Sequence, residues 1–507
     1  MINSSRLSAP RPTSRRRHLD LPLKFGGAIA VAVVTLFLPV NVHSAAPLSD
    51  ADAHWPQWRG PKFNGYSPQA NPPTEWSETK NIQWKVKIPG SGHASPIIWG
   101  NRVFVLTAIR TDTKKETASS TAPSASPQSP ATGSAPGNPS EPAAGDGGQR
   151  RRGGQGGPGG GRGGGRGGMS EPPPTSPVRF VILCLDRTTG KTVWEQTAAN
   201  TIPHEGHHPD HGYASASPVT DGEHLFAFFG SRGLYCYTLD GKPVWSQNLG
   251  TMRTRAGFGE GASPAVHGNI LVLNWDHEGD DFIVAFNKRT GKELWRQKRE
   301  EATTWTTPLI VTHNGKPQVV VTATTKTRSY DLVTGESIWE CGGMTQNVIP
   351  TPVAADGFVY AISGFRGASL QAIQLGRTGD LTGTDAIAWK HDKSTPYVPS
   401  PALLGDRLYF VSGNNGLISC LDRKTGKPLY EAERLDAVRG VYASITGGND
   451  RVYVVSRAGT TVVLKDSGKF EILATNPLDE GIDASPAMAG NQLFLRGQTS
   501  LYCIANP

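Results

Sequence analysis

A histidine-rich loop is the first place in this sequence where residue types and spacing could support chemistry. The segment PHEGHHPDHGY spans residues 203–213 and contains two pairs of histidines that are four positions apart. Histidines at that spacing bind a transition metal when they lie on one face of a helix. The prolines and glycines of the segment disfavour a helix. The loop therefore has two interpretations, a metal site or a solvated polar loop, and its histidines are His204, His207, His208 and His211.

A second set of polar residues lies in turns that recur along the chain. Four of these turns carry an arginine at nearly equivalent places, and another contains the acidic run NWDHEGDD. Guanidinium groups that converge can hold a carboxylate, a phosphate or an acidic loop of a partner. Alternatively, arginine and glycine simply suit exposed turns, and the arginines pair with Asp276 or Glu278. The candidate ligand-binding residues are Arg232, Asp276, His277, Glu278, Arg366, Asn414, Asn415, Arg457 and Arg496.

These candidates must be positioned by a repeated element. AFNKRTGKELW at residues 285–295 recurs as CLDRTTGKTVW at 184–194 and SYDLVTGESIW at 329–339. Asp or Asn opens a turn after an apolar strand, glycine closes the turn with a positive φ, and a second strand ends in an aromatic residue. We expect this aromatic to pack between repeats. The tag aromatics are Trp84, Trp194, Trp245, Trp295, Trp339, Trp389 and Tyr430.

A Ser-Pro or Thr-Pro dipeptide keeps step with the tag. Between Pro218 and Pro401 successive dipeptides are 46, 44, 44 and 49 residues apart, and each unit reads as four short strands. Four strands at this period indicate propeller blades. Counting the degenerate copy at Ser444 gives eight units, of which the last lacks a fourth strand. The sequence therefore predicts an all-β, eight-bladed propeller of four-stranded antiparallel blades, with Asn81–Ile88 completing the last blade and closing the ring.

The N-terminal region has the pattern of an export signal. Basic residues precede an apolar run from Ala28 to Val40, and small residues follow at cleavage spacing. The run is too short to span a bilayer comfortably, so we predict a signal peptide over residues 1–46 rather than an uncleaved anchor. The propeller then occupies residues 47–507. We expect export to the periplasm or cell envelope through the Sec or twin-arginine route, without a transmembrane segment after cleavage.

Residues 111–177 are rich in Ser, Pro, Gly and Arg, and we predict a disordered insertion within blade one. Its RGG-like tract is either a site for RNA or an anionic polymer, or a flexible surface insertion. The net charge of +8 is concentrated in residues 1–44 and 149–168, which carry +5 each and leave −2 for the rest of the chain. We therefore expect no specific binding of nucleic acid.

The tag and the Ser-Pro starts resemble the PQQ-like β-propeller repeat, named after pyrroloquinoline quinone, from His54 to Pro507 apart from the insertion. Quinoprotein alcohol dehydrogenases and the outer-membrane protein assembly factor BamB share this repeat. Resemblance to the dehydrogenases implies a quinone stacked between a Trp and a disulfide of adjacent cysteines. It also implies Ca²⁺ bound by Glu, Asn and Asp. Here the closest cysteines, Cys184 and Cys236, are 52 residues apart. The residues available to bind Ca²⁺ are Asn274, Asp276, Glu278 and Asn414.

We predict an exported, monomeric, non-catalytic propeller that acts as a binding or scaffold module in the cell envelope. Its expected partner is an envelope protein or an anionic or polymeric ligand, and no cofactor is expected. The alternative is a PQQ- and Ca²⁺-dependent dehydrogenase of alcohols or sugars. A third hypothesis is a carbohydrate- or polymer-binding propeller in which Trp275 and Trp305 contact the ligand.

Overall fold

The computed structural model describes residues 53–111 and 170–507, and its strands form eight sheets. Short 3-10 turns occur at Gly230–Arg232 and Arg255–Gly257. Within the described part of the chain, no helix is long and apolar enough to cross a membrane. The predicted signal peptide lies outside the described residues, and so does the predicted insertion apart from its two ends.

The first four blades follow one another along the chain, each from an inner to an outer strand. Blade one contains β3 (Ile97–Trp99), β4 (Arg102–Arg110), β5 (Val178–Asp186) and β6 (Thr192–Thr201). Blade two contains β7 (Val219–Thr220), β8 (His224–Phe228), β9 (Leu234–Thr238) and β10 (Pro243–Gln247). Blade three contains β11 (Ala265–His267), β12 (Ile270–Trp275), β13 (Phe282–Asn287) and β14 (Glu293–Lys298). Blade four contains β15 (Leu309–His313), β16 (Lys316–Val321), β17 (Thr327–Asp331) and β18 (Ser337–Cys341).

The last four blades complete the ring. Blade five contains β19 (Val353–Ala355), β20 (Phe358–Ser363), β21 (Ser369–Gln374) and β23 (Ile387–His391). Blade six contains β24 (Ala402–Leu404), β25 (Arg407–Ser412), β26 (Leu417–Asp422) and β27 (Pro428–Arg434). Blade seven contains β28 (Thr446–Gly448), β29 (Arg451–Val455), β30 (Thr461–Lys465) and β31 (Ile472–Asn476). Blade eight contains β32 (Ala487–Ala489), β33 (Gln492–Arg496), β34 (Ser500–Ile504) and β2 (Ile82–Lys87).

Blade eight is built from both ends of the described chain. β2 pairs antiparallel with β34, and Trp84 lies opposite Cys503. The pairing gives blade eight its fourth strand and covers the edge of β34 that would otherwise be open. The prediction of an eight-bladed propeller closed by Asn81–Ile88 is therefore confirmed.

Two blades carry a fifth, parallel strand that the repeat pattern does not predict. β1 (Tyr66–Ser67) pairs with the inner strand β28, and β22 (Gly379–Asp380) pairs with the outer strand β18. Both are two-residue segments of chain outside the four-strand repeat. They add hydrogen bonds to backbone groups at sheet edges, which must be satisfied by protein or by water.

The Ser/Thr-Pro dipeptides form a closed ring of hydrogen bonds at the inner ends of the blades. Each hydroxyl accepts the backbone N–H of the equivalent residue in the preceding blade, at 2.9 to 3.3 Å. The degenerate copy at Ser444 takes part like the others. The ring consists of Ser95, Ser217, Ser263, Thr307, Thr351, Ser400, Ser444 and Ser485, and we refer to it as the hydroxyl ring.

The tag tryptophans lie between blades. The indole Nε1 of Trp295 donates to the Leu332 carbonyl in blade four at 3.0 Å, and the ring covers Gly335 so closely that a Cβ there would lie 2.6 Å away. The same contact joins Trp84 to Gly190, Trp194 to Gly241, Trp245 to Gly291 and Trp389 to Gly426. Glycine in the tag thus serves two needs, a positive φ and room for the tryptophan of the neighbouring blade.

The segment before β2 runs across one face of the propeller and contacts several inner strands. Pro56 O accepts from Thr220 N at 2.9 Å, and Asn64 O accepts from Leu403 N at 3.0 Å. Arg59 is fully buried and donates to the Ile445 and Pro401 carbonyls, and burial lowers its pKa to about 9. We call this side the closed face. The opposite side carries the turns between second and third strands and the connections between blades, and we call it the loop face.

Candidate functional site

A cavity of about 530 Å³ lies on the propeller axis. Its lining includes seven members of the hydroxyl ring, the exception being Thr351. Trp58 from the closed face also lines it and donates from Nε1 to Thr307 Oγ1 at 3.2 Å. Loop-face connections supply the remaining walls. A volume between roughly 300 and 1,000 Å³ is usual for sites that bind small molecules.

One wall of the cavity combines arginine with aromatic rings. Arg366 lies over the ring of Phe365 at 5.3 Å, and Phe365 contacts Tyr397 with ring centroids 4.7 Å apart. Burial raises the pKa of Tyr397, and the positive charge of Arg255 opposes that rise. Among the described residues, neither Arg255 nor Arg366 has a salt-bridge partner. Two guanidinium groups on this wall are therefore available to an anion.

The other wall carries carboxylates that are already paired. Arg457 contacts Asp210 and Asp483, each at 2.8 Å, and lies 4.0 Å over the ring of Tyr442. The Tyr442 hydroxyl donates to Asp210 Oδ2 at 3.1 Å. Hydrogen bonding from Arg457 is the main reason that the pKa of Asp210 is lowered. The contact joins the histidine-rich loop to blade seven across the loop face.

The four predicted histidines occupy one loop but have separate partners. His204 contacts the Met252 carbonyl at 2.6 Å, His207 the His208 carbonyl at 2.8 Å, and His211 the Gly212 carbonyl at 3.0 Å. His208 Nδ1 accepts Asp210 N at 3.1 Å and its ring meets Phe258 edge-on. In the described part of the chain, the group of side chains close enough to share a metal is Asp221, Glu223 and His224, and Asp221 there is bound to Lys288 at 2.5 Å.

Two histidines beside the cavity are held neutral. Burial, together with the neighbouring His93 and His207, lowers the pKa of His211 to about 3. Burial also lowers the pKa of His93, against the attraction of Asp483. His208 and His211 line the cavity with His93. Because the lowered pKa values keep His93 and His211 uncharged near neutral pH, the positive charge of this cavity lies mainly on Arg255 and Arg366.

Two of the predicted arginines are bound inside the protein. Arg232 is bound to Glu260 at 3.0 Å with 6% of its side chain exposed. Arg496 donates to the Ala94 and Leu106 carbonyls at 3.1 and 2.5 Å, joining blade eight to blade one. Burial lowers the pKa of Arg496 to about 9. Of the four turn arginines, Arg366 lines the cavity, and Arg457 binds two residues that do.

The acidic turn of blade three makes contacts inside the protein rather than with a ligand in the cavity. Asp276 and Arg299 form a fully buried ion pair, with nitrogen-oxygen distances of 2.6 and 3.1 Å. Burial opposes the charge of Arg299, but Asp276 outweighs it and the pKa of Arg299 is raised. Glu278 accepts from Thr303, and His277 accepts from Arg253 N at 3.2 Å. Asn414 and Asn415 are exposed in the turn of blade six, away from the cavity lining.

The residues that the resemblance suggests for PQQ and Ca²⁺ do not converge. Asn274 and Asp276 are buried and bonded to each other at 3.1 Å, and none of the described Asn274, Asp276, Glu278 and Asn414 lines the cavity. The five cysteines are buried and unpaired, so no disulfide platform is available. The donor set does not fit a quinone held over calcium.

Sequence reasoning missed part of the cavity. Arg255 lies in the connection RTRAGFGEG, which the repeat pattern places on the loop face, but its arginines look like ordinary loop residues. Tyr397, Tyr442 and Asp483 likewise lie in connections of variable length. Of the two aromatics expected to contact a ligand, Trp305 lines the cavity, whereas Trp275 is 2% exposed and packs on Phe282.

Comparison with known proteins gives one family match and two similar solved structures. The family model described as outer membrane protein assembly factor BamB, a PQQ-type repeat, matches residues 179–431. No curated protein matches the chain significantly. Among solved structures, BamB from Moraxella catarrhalis is 14% identical, with a TM-score of 0.47, covering 66% of this chain and 95% of that one. The computationally designed protein Ika8 is also 14% identical, with a TM-score of 0.44, covering 67% and 98%. The matched repeat and the eight blades make this chain similar to PQQ-like, BamB-like β-propeller proteins.

Proposed function

We propose that this protein is an exported, non-catalytic binding module of the cell envelope and that it binds through its loop face. The observation that carries the proposal is the wall of Arg255 and Arg366, two cavity-lining guanidiniums without a salt-bridge partner among the described residues. Guanidinium groups recognise carboxylates and phosphates through paired hydrogen bonds. Such a wall favours an anionic group from a ligand or partner.

The carboxylates of the cavity support binding rather than catalysis. Asp210 and Asp483 are both held by Arg457, and the pKa of Asp210 is lowered, mainly through its hydrogen bond with Arg457. A general base works best with a pKa near the operating pH. A carboxylate whose pKa is lowered by an arginine is a weak base and serves better to fix the loop that carries it.

Two observations support the proposed envelope localisation. The N-terminal sequence has the pattern of a secretory signal. The matching family model is named after an outer membrane protein assembly factor, and by analogy we assign this chain to the same cellular region and to protein binding. One specific form of this protein-binding role is the assembly of outer-membrane proteins.

The test uses two positions of one blade that lie on opposite faces. A photo-crosslinking amino acid replaces Asn414 on the loop face or Lys424 on the closed face, both exposed in blade six. We expect the chain in the envelope fraction and crosslinked products from position 414 that R255Q/R366Q reduces. Products from position 424 alone, or a chain that stays in the cytoplasm, would contradict the proposal.

A separate assay addresses catalysis. The purified full chain is mixed with PQQ and Ca²⁺, and dye reduction is followed with alcohols and sugars. We expect no turnover above that of free PQQ. Sustained turnover that depends on both PQQ and Ca²⁺ would overturn the non-catalytic assignment.

A further inference from the structure

We infer that the central cavity binds an acidic saccharide, with its carboxylate on Arg255 and Arg366, its ring faces on Trp305, Phe365 and Tyr397, and its hydroxyls on the hydroxyl ring. This inference rests on the proposed function and names the ligand class of the same site. It follows from three properties of the cavity: charge, aromatic surface and hydroxyl content.

The charge comes from two arginines held in strained turns. Arg366 has a φ of 53°, and Ala256, next to Arg255, has a φ of 52°. Non-glycine residues are strained in this left-handed region, and such residues are concentrated at functional sites. Both strained residues line the cavity, as does Asn347 with a φ of 51°. The backbone is thus held in a costly conformation where it presents the guanidiniums.

The aromatic surface is rigid and partly open. Trp305, Phe365 and Tyr397 are half-buried and line the cavity together. The Trp305 indole donates to Gly259 O at 2.7 Å, and its backbone N donates to Val348 O at 3.1 Å, so its ring is fixed. Phe365 and Tyr397 are inclined by 30° to each other. Fixed aromatic faces suit the apolar C–H faces of a sugar ring, because little side-chain entropy is lost when a ligand covers them.

The hydroxyl ring supplies donors at the inner end of the cavity. Each hydroxyl accepts one backbone N–H through its oxygen, and within residues 53–111 and 170–507 no acceptor takes up its own hydrogen, which can therefore be donated to a ligand. Buried polar groups need partners, and a ligand that displaces water must replace the hydrogen bonds that water made. A sugar carries several hydroxyls on one compact ring and can do so.

The combination separates an acidic saccharide from two other ligands. A neutral sugar would leave both arginines without a counter-charge. An acidic peptide would satisfy the arginines but has few hydroxyls for the ring. The acidic saccharide uses all three surfaces, so affinity should depend on the carboxylate and on the sugar ring together.

The experiment is calorimetry on the full chain with four probes. These are the trimers of galacturonate and of mannuronate, the neutral galactose trimer, and triglutamate. We expect at least one uronate trimer to bind at least tenfold more tightly than the neutral trimer and triglutamate. R366Q and R255Q should each weaken uronate binding at least tenfold, and R366K should be intermediate because it keeps charge but loses the planar fork.

Two controls test whether a loss of affinity comes from the cavity arginines themselves. R377Q removes an exposed arginine that is paired to Asp385 and is remote from the cavity lining, and it should leave affinity unchanged. Circular dichroism confirms that each variant is folded. Absence of binding by both uronates, equal binding of the neutral trimer, tighter binding of triglutamate, or full affinity in a folded R366Q would overturn the inference. Crosslinking from position 414 would still stand in those cases, so failure of the ligand class is separable from failure of the proposed function.

Discussion

The backbone N–H of Ser485 donates to the hydroxyl of Ser95 at 3.0 Å, and this contact joins the first blade to the last. Seven equivalent contacts connect the remaining blades. Because each ring residue gives a backbone N–H to one neighbour and accepts one from the other, the blades are coupled around the whole axis. The Ser/Thr-Pro dipeptide is therefore an interblade contact as well as a start signal for a strand.

Removing one hydroxyl should leave a buried donor without a partner. S95A takes away the acceptor of Ser485 N, and both residues are buried. We expect the free energy of unfolding to fall by about 1–3 kcal/mol, the usual cost of an unsatisfied buried group. S95T keeps the hydroxyl and should lose much less. Urea unfolding measures both variants, and equal loss in S95A and S95T would contradict the role of the hydroxyl.

The tag glycine can be tested against a matched glycine in the same blade. Gly335 and Gly315 have φ values of 77° and 76°, but only Gly335 is covered by a tryptophan, since nothing lies within 4 Å of a Cβ at Gly315. Both alanine variants carry the left-handed penalty of about 1–2 kcal/mol. G335A should lose a further amount of about 1–3 kcal/mol through overpacking against Trp295. Urea midpoints that coincide for the two variants would refute the close packing.

The buried ion pair should be sensitive to the loss of one partner. D276N leaves the Arg299 charge buried without its carboxylate, since both side chains are 0% exposed. We expect a loss of about 3–5 kcal/mol in unfolding free energy. D385N removes an exposed carboxylate from Arg377 and should cost less than about 1 kcal/mol. Chemical denaturation distinguishes them, and a loss below 1 kcal/mol in D276N would contradict the burial of the pair.

His211 should make the fold sensitive to acid. Its pKa is lowered to about 3 in the folded protein, mainly by burial, whereas a free histidine titrates near about 6.5. Between these values the unfolded chain binds a proton that the folded chain does not, so stability rises with pH across this window and falls on acidification. The slope from one such group is about 1.4 kcal/mol per pH unit.

H211Q removes this contribution. We expect the slope of unfolding free energy between pH 4.5 and 6 to decrease by about 1 kcal/mol per pH unit. The pKa of His93 is also lowered by burial, so H93Q/H211Q should reduce the slope further. Denaturation at pH 4.5, 5.5 and 7 provides the measurement. An unchanged slope in H211Q would show that the histidine is not buried as described.

Repeats made the architecture predictable. Equivalent residues such as Trp194, Trp245 and Trp295 meet the same neighbours in every blade, so one local pattern specifies many long-range contacts. The closing strand could be placed because the last unit lacked a partner and Asn81–Ile88 carried a tryptophan at the tag position. The added parallel strands at Tyr66 and Gly379 lie in segments that are not repeated, so no sequence pattern predicted them.

The candidate site was less predictable because its contacts are not repeated. Arg232 and Arg366 occupy similar turns, but Arg232 meets Glu260 and is bound, whereas Arg366 has no such neighbour among the described residues. The pair of Asp210 and Arg457 joins positions 247 residues apart. Turn equivalence indicates the face on which an arginine lies but not the charge beside it. That charge depends on connections whose length and conformation differ from blade to blade.

The pairing of β2 with β34 also constrains the order of events when the chain is made. Gln83 and Cys503, which touch in the finished sheet, are separated by 420 residues. During synthesis β2 emerges from the ribosome early, and its partner emerges only after seven blades have been translated. The ring therefore cannot be completed until β34 has been translated, and before that point the molecule exposes a strand edge at each end. A truncated chain that ends before Ser500 leaves β2 without its partner, so premature termination yields an open, association-prone product rather than a smaller propeller.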